Sequence, residues 1–301
     1  MFLRKIKGGP IMTNPAQEIL IIGLGLIGSS LAKATKKKGL VVHGYDLDQT
    51  TLVQAADNKI IDKAFESLEE INNKELIGKI DLIIVAVSPR VTQSVISSLK
   101  SLWNTDITIT ETSSVKNHLN FDSPNNLVFS HPIAGSDKSG ISALDENLFT
   151  NKKTIICNPY DAKEDHINKV INFWQHALSM RVSEMTVKEH DLLFAMTSHL
   201  PHLISYALID SIRLSSTEAG DNAGGGLKEF IRLSGSNPEM WKDIFELNEK
   251  NIIKSLASFQ LSINNLLELI TKIKEIPSTF SHSDMLKSEL DEIKKYKEDT
   301  F

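Results

Sequence analysis

Between Glu18 and Glu184, short runs of aliphatic and β-branched residues alternate with amphipathic stretches. That alternation is the pattern of strands joined by crossover helices in a parallel sheet. It predicts strands at Ile19–Ile22, Val41–Tyr45, Leu82–Val87, Ile107–Thr110, Leu127–Phe129 and Thr154–Cys157. Several of these are apolar at every position, as strands covered on both faces are. After Glu184 long helical periodicities take over. Thr186-Val187-Lys188-Glu189 reads as a capping box, in which the Thr hydroxyl and the Glu carboxylate each satisfy a free backbone amide and start a helix. Asn237-Pro238 reads as a second start, with Asn as N-cap and Pro at the first helical position. Ile252, Leu256, Phe259, Ile263, Leu266, Ile270 and Ile273 then step by four and three, a seam of about three heptads. One helix cannot hide such a stripe alone. It packs on another long helix of the chain or forms a homodimer interface, and we take the second. Pro277 closes this helix.

The expected organisation is therefore residues 1–17 outside the fold, with Met12 as an alternative start, an α/β domain over 18–185 and an all-α domain over 186–301. The tail 278–301 is charged, with a weak helical pattern and no assigned function. A chain that is 41% hydrophobic and 24% charged belongs to an ordinary globular protein, not to a disordered or fibrous one. A net charge of −5 offers no basic field for phosphates, so nucleic acid is not an expected partner. Lys36–Lys38 ends a predicted helix, where cations complement the dipole. With Cys157 the single cysteine, no intrachain disulfide and no cysteine metal cluster can form, which suits a reducing cytoplasm. No signal-peptide core is present near the start, and no run reaches about eighteen consecutive apolar residues, so no membrane span is expected.

Gly23-Leu24-Gly25-Leu26-Ile27-Gly28 directly follows the first predicted strand and opens the first helix. In a dinucleotide fingerprint the first glycine makes the turn, the second admits the pyrophosphate and the third lets helix and strand pack. The helix N-terminus offers free N–H groups to the phosphates. The second strand ends in Asp46, whose carboxylate can accept from both adenosine ribose hydroxyls and repel a 2′-phosphate. No Arg stands at positions 47 to 51, so the expected cofactor is NAD rather than NADP. Val87 and Ser88, at the carboxyl edge, should lie beside the adenosine and ribose. The fold class is thus a Rossmann-type dinucleotide-binding domain followed by an all-α C-terminal domain.

Behind this fingerprint come, in order, Thr112-Ser113-Ser114-Val115-Lys116, Ser130-His131-Pro132-Ile133-Ala134-Gly135, Ser198-His199-Leu200-Pro201-His202, Gly224-Gly225-Gly226 and Arg232 with Asn237-Pro238-Glu239-Met240-Trp241. Together they resemble the prephenate dehydrogenase family over roughly Glu18 to Ile273. The resemblance implies oxidative decarboxylation of prephenate to 4-hydroxyphenylpyruvate in tyrosine biosynthesis. It implies that His131, expected in a loop after the strand Leu127–Phe129, accepts the ring hydroxyl proton; an imidazole with a pKa near 6.5 suits that task. Ser114 would orient that histidine and the hydroxyl. Arg232 would grip the ring carboxylate bidentately, and His202 would help hold substrate. Trp241 would line the pocket, and the glycines around Gly225 would permit a close main-chain approach. Asp137, which the resemblance gives a gating or substrate-binding role, stands where the family often has Glu, and Glu111 where it usually has Asp.

Asp191, Ala195, Ser198 and His202 recur at helical spacing and should share a face, with Asp191 and His202 about 16 Å apart along the axis. The resemblance gives Asp191 a role in organising polar groups near the domain junction. His199 reads as a packed or supporting residue, and no second ligand pair makes a metal of His199 and His202. Rival readings are an arogenate or dual-specificity cyclohexadienyl dehydrogenase, a β-hydroxyacid dehydrogenase, for which Lys188 lacks the usual Gly–Asn surroundings, and an NAD-sensing regulatory dimer. Tyrosine is a possible inhibitor, and no fused mutase or regulatory domain is expected.

Overall fold

The computed structural model describes residues 4–5, 16–73, 78–136, 138–215, 222–272 and 282–301. Among these residues the strands are β1 (Arg4–Lys5), β2 (Glu18–Ile22), β3 (Val41–Tyr45), β4 (Lys63–Ala64), β5 (Leu82–Val85), β6 (Thr108–Glu111), β7 (Leu127–Ile133), β8 (Lys153–Cys157) and β9 (Arg181–Glu184). They form one sheet in the order β1-β9-β8-β7-β6-β5-β2-β3-β4. Neighbours from β4 across to β7 run parallel, as expected of a doubly wound sheet. Two junctions break the expected uniform direction, because β8 is antiparallel to β7 and β1 to β9. Segment 1–17, assigned no place in the fold, contributes the strand Arg4–Lys5 to this edge. Gln17 also donates its backbone N–H to Asp81 at 2.8 Å.

The helices are α1 (Leu26–Lys36), α2 (Gln49–Asp57), α3 (Leu68–Asn72), α4 (Pro89–Ser98), α5 (Glu164–Asn172), α6 (Val187–Phe194), α7 (Leu200–Ser215), α8 (Gly225–Ile231), α9 (Pro238–Leu247), α10 (Glu249–Lys272) and α11 (His282–Thr300). Successive side chains on a strand point to opposite faces, so the continuously apolar strands feed two cores. Ile19, Ile21, Leu82 and Ile84 pack on one face with Leu31, Trp174 and Phe149. Leu20, Ile22, Ile83 and Val85 pack on the other with Ile96, Leu102 and Phe129.

The capping box forms as read, with Thr186 accepting from Glu189 N and the Glu189 carboxylate accepting from Thr186 N. Asn237 caps α9 with Pro238 in the first turn. Between α6 and α7 the chain makes one π turn, Ala195–His199, so the helix runs unbroken over Val187–Ser215. That stretch has the length and hydropathy of a spanning segment, its richest 18-residue window averaging 1.4, although polar residues break its apolar runs, as at Thr197-Ser198-His199. It also carries His190, Asp191 and His199 as buried groups bonded within the fold.

Two compact units divide the chain, Met1–Glu249 and Lys250–Phe301. The change of texture after Glu184 falls inside the first of these units. Most of the second is the bulk of α10 and all of α11, the latter where the sequence showed only a weak pattern. Along α10 the seam position Ile252 is 6% exposed, but Ile263 and Ile270 are 39% and 50% exposed, so the stripe is open to solvent over its later turns. Ile273 and Pro277 lie outside the described residues.

Candidate active site

The glycine loop is built as its spacing requires. Gly23 takes φ +94°, and a Cβ there would meet the Ala86 carbonyl oxygen at 2.6 Å. A Cβ on Gly28 would fall 1.8 Å from the Gly23 carbonyl oxygen, so only glycine lets α1 seat against the turn. At Gly25, by contrast, a Cβ would meet nothing within 4 Å. That space is open where the pyrophosphate of a dinucleotide would approach the first turn of α1. Leu26 and Ile27 are only partly buried in the same turn. Asp46, at the end of β3, accepts from Leu24 N at 2.6 Å through Oδ2 and from Asp48 N at 2.9 Å through Oδ1. Both bonds hold the carboxylate beside the glycine turn, and each oxygen keeps a lone pair for a ribose hydroxyl. Val87 is half-buried next to that turn, and Ser88 is the exposed N-cap of α4. The residues present fit a dinucleotide.

His131 is not in a loop. β7 continues through it to Ile133, paired with β8 in the register His131↔Ile155. The cause is a change of neighbours, since pairing with β6 stops at Glu111↔Phe129 while pairing with β8 runs on to Lys153. From Ser130 onward β7 has one vacated edge, which tolerates Pro132 and leaves the His131 side chain half-buried instead of covered.

The His131 ring lies 4.7 Å from Phe194 and 5.0 Å from His190, centroid to centroid. Its Nδ1 is 2.8 Å from His190 Nε2, and His190 Nδ1 is 2.8 Å from Asp191 Oδ1. Asp191 in turn accepts from the backbone amides of Lys116 at 3.0 Å and Asn117 at 2.8 Å. Among the described residues, His131 Nε2 has no partner. Burial, with the His190 and Lys116 charges, holds the His131 imidazole well below its ordinary value, further than the sequence suggested. His190 is lowered for the same leading reason.

Beneath this chain lies a polar plug. The Lys116 ammonium, fully buried, pairs with the equally buried Glu111 carboxylate and donates to the Ser130 carbonyl at 2.5 Å. Burial pushes the Glu111 carboxyl up, opposed by Lys116. Ser130 Oγ meets Thr110 Oγ1 at 2.7 Å and accepts from the Trp174 indole at 3.0 Å. Glu111, the departure from the family pattern, also accepts from Ser113 N at 2.7 Å and so shapes the loop that carries Ser114. Ser114 itself is half-buried and makes no hydrogen bond to His131; the expected orienting contact belongs to His190.

The π turn adds a residue to the helix, so the buried line runs Asp191, Ala195 and His199, with Ser198 only partly covered. His199 Nδ1 lies 3.1 Å from Asn248 Nδ2, which also donates to the Asp191 carbonyl at 2.8 Å. Burial pushes the His199 imidazole down to about 4. His202 stacks on Trp241 at 3.5 Å and donates from Nδ1 to the Ser198 carbonyl at 3.0 Å. Burial lowers its pKa, and the Arg232 guanidinium adds to that. Arg232 is exposed in a short 3-10 turn, Arg232–Gly235. That segment is held to α7 by Ser205 Oγ donating to the Phe230 carbonyl and Tyr206 OH to the Ser236 carbonyl, at 3.2 and 3.1 Å. Trp241 is buried, and among the described residues its indole N–H has no partner. Gly225 opens α8 and is exposed. Asp137 lies outside the described residues.

Two groups of the site escaped the sequence reading, His190 and Asn248. His190 had one signal, its place beside Asp191 in the first helix after the sheet.

Two family models match this chain: the nucleotide-binding domain of prephenate dehydrogenase over residues 31–182 and its dimerization domain over 186–281. The crystal structure of prephenate dehydrogenase from Aquifex aeolicus in complex with hydroxyphenyl propionate and NAD+ matches with a TM-score of 0.85 at 30% identity, covering 96% of this chain and 100% of that one. Cyclohexadienyl dehydrogenase of Zymomonas mobilis is 28% identical over 83% of this chain and 87% of its own length. Prephenate dehydrogenase of Bacillus subtilis is 28% identical over 80% and 67%. On these matches the chain belongs to the prephenate dehydrogenase family.

Proposed function

We propose that the chain catalyses the NAD-dependent oxidative decarboxylation of prephenate to 4-hydroxyphenylpyruvate, a step of tyrosine biosynthesis. The observation that carries this is an imidazole, His131, on the vacated edge of β7 with Nδ1 engaged and Nε2 free. The dinucleotide, when bound on the Gly23–Gly28 loop with Asp46 at its adenosine ribose, supplies the hydride acceptor. His131 takes the ring hydroxyl proton on Nε2 as the carbinol carbon is oxidised, and the ring carboxylate leaves as carbon dioxide, which makes the ring aromatic. Aromatisation supplies the driving force, so the protein mainly positions groups and balances charge. Arg232 neutralises and orients a substrate carboxylate, with His202 and Trp241 beside it. Ser114, in the loop that Glu111 shapes, is a donor available to the substrate hydroxyl.

The test is steady-state formation of NADH from prephenate. His131→Asn should lower kcat by about 10²–10⁴, the usual contribution of a general base. Turnover at the parental rate would remove His131 from the chemistry.

One observation favours a second substrate, arogenate. Because His202 Nδ1 donates to the Ser198 carbonyl, a neutral His202 presents a lone pair at Nε2, which suits an ammonium better than a keto acid. Comparing kcat/KM for the two substrates decides between them. The dimerization-domain match and the open stripe on α10 support a homodimer built on the C-terminal helices. Sedimentation at micromolar concentration tests this, and a monomer would exclude it.

A further inference from the structure

A histidine can serve as a base at one nitrogen only if the other keeps its proton, and neutral imidazole is free to exchange the two arrangements. In this fold the choice is imposed from outside His131. Asp191 receives backbone N–H groups from Lys116 and Asn117, so both carboxylate oxygens are already acceptors. An acceptor at 2.8 Å requires the proton of neutral His190 to sit on Nδ1. His190 Nε2 is then a lone pair, and it faces His131 Nδ1 at 2.8 Å. That contact is a hydrogen bond only if His131 Nδ1 bears the proton, which leaves the base lone pair on Nε2. His190 and Asp191 are both fully buried, so water cannot substitute for either partner.

We propose that His190 and Asp191 are a positioning pair that sets the tautomer of His131, transmitting the polarity of a carboxylate through one imidazole to the base. The pair touches neither substrate nor dinucleotide; it acts through His131, and the proposal therefore rests on the reading of His131 as the base. Asp191 is itself aimed by the turn that follows β6, through the Lys116 and Asn117 amides, while Asn248 holds its carbonyl from α9's end. Lys116, the last residue of the Thr112–Lys116 segment, and Asn117 after it thus contribute to the base through main-chain N–H groups and not through the Ser114 hydroxyl.

The experiment uses the full chain with ring-¹⁵N histidine. The His131 signals are identified by their loss in His131→Asn. In the parent at pH 7.5, Nδ1 of His131 should appear protonated and Nε2 unprotonated; a proton on Nε2 overturns the proposal with no variant needed. Asp191→Asn keeps the shape but must place its amide nitrogen at the Oδ1 position to leave an oxygen for the backbone donors. It would then donate to His190 Nδ1, reverse both imidazoles, and move the His131 proton to Nε2. The expected fall in kcat is at least about 100-fold, with KM for NAD changed less than about twofold. His190→Gln, whose amide can accept from His131 and donate to Asp191, should retain at least about tenfold more activity than His190→Leu.

Asp191→Asn and His190→Leu enzymes at parental kcat would overturn the pair while His131→Asn, if inactive, leaves the base reading standing. An active His131→Asn enzyme would instead sink the base reading, and the tautomer measurement would still report whether the pair orients that ring.

Discussion

At the scale of single residues, the site is governed by which polar groups are buried and what they meet. His131 was legible because it stands in a short motif behind a glycine fingerprint, but its partner was not, since His190 reaches it only after α6 folds across the end of β7. Sequence spacing cannot show a contact made between a strand and a helix 59 positions later. The same limit explains Ser114, whose expected contact with His131 is made by His190 instead. Burial and the His190 and Lys116 charges disfavour the imidazolium of His131, so its pKa lies below 6.5. The base is therefore neutral throughout neutral pH. The sign follows: kcat/KM for prephenate should stay flat as pH falls from 8 to about 6.5 and drop only below it. An acid limb centred above 6.5 would show that another group is the base. Arg232 acts differently, because an exposed guanidinium grips a carboxylate in the ground state as well as later. Arg232→Gln should raise KM for prephenate by at least about tenfold, about 1.4 kcal/mol, with a smaller change in kcat. An unchanged KM would free Arg232 from substrate binding.

Elements show why some of this was readable and some was not. Strands β2, β3 and β5 were placed within a residue or two, because continuous apolar runs leave few alternatives. β7 was cut short at Phe129, since Pro132 looks like a strand breaker until one sees that β6 has already ended beside it. β9 and β4, short and partly polar, carried too weak a pattern. The π turn between α6 and α7 is invisible to a 3.6-residue count, and it is what brings His199 into line with Asp191. Within the glycine loop, identical residues do separable work, and this gives a paired prediction. Gly28→Ala forces a Cβ onto the Gly23 carbonyl, so it should cost at least about 1–3 kcal/mol in urea unfolding. Gly25→Ala adds a methyl into open space and should leave the unfolding midpoint near the parent's. It should nonetheless weaken NAD binding by about tenfold or more, measured by fluorescence titration, because that space is where the phosphates come close. Equal effects of the two on stability would refute this division of labour. Asp46→Ala belongs to the same element boundary: it removes the ribose acceptor and one anchor of the turn, and KM for NAD should rise at least about tenfold.

For the molecule as a whole, the response of stability to acid turns on a cluster of buried histidines. His131, His190 and His199 meet where helices lie against the end of the sheet, and burial lowers the pKa of each. Above pH 6.5 they cost nothing in protons, because folded and unfolded chains are both neutral there. As pH falls below 6.5 the unfolded chain binds protons that the folded chain refuses, so stability declines towards the folded values. For His199, between its ordinary 6.5 and about 4, the full decline is worth roughly 3 kcal/mol. Glu111 and Asp191 pull the other way, since burial raises both carboxyls and the folded chain takes up their protons first. Their ordinary values of 4.5 and 3.8 confine the opposing term's lower end to the bottom of this window. The histidine contribution is separated from the carboxyl one by comparing a variant with the parent as the urea midpoint is followed from pH 7.5 down to 5. His199→Asn isolates one contributor, because its Oδ1 can replace Nδ1 as the acceptor for Asn248 without a titratable ring. The variant should be less stable than the parent at pH 7.5, through lost packing on Trp241, yet its midpoint should fall less on acidification. Curves for variant and parent that decline in parallel would show that the buried imidazole of His199 is not what makes the fold acid-sensitive.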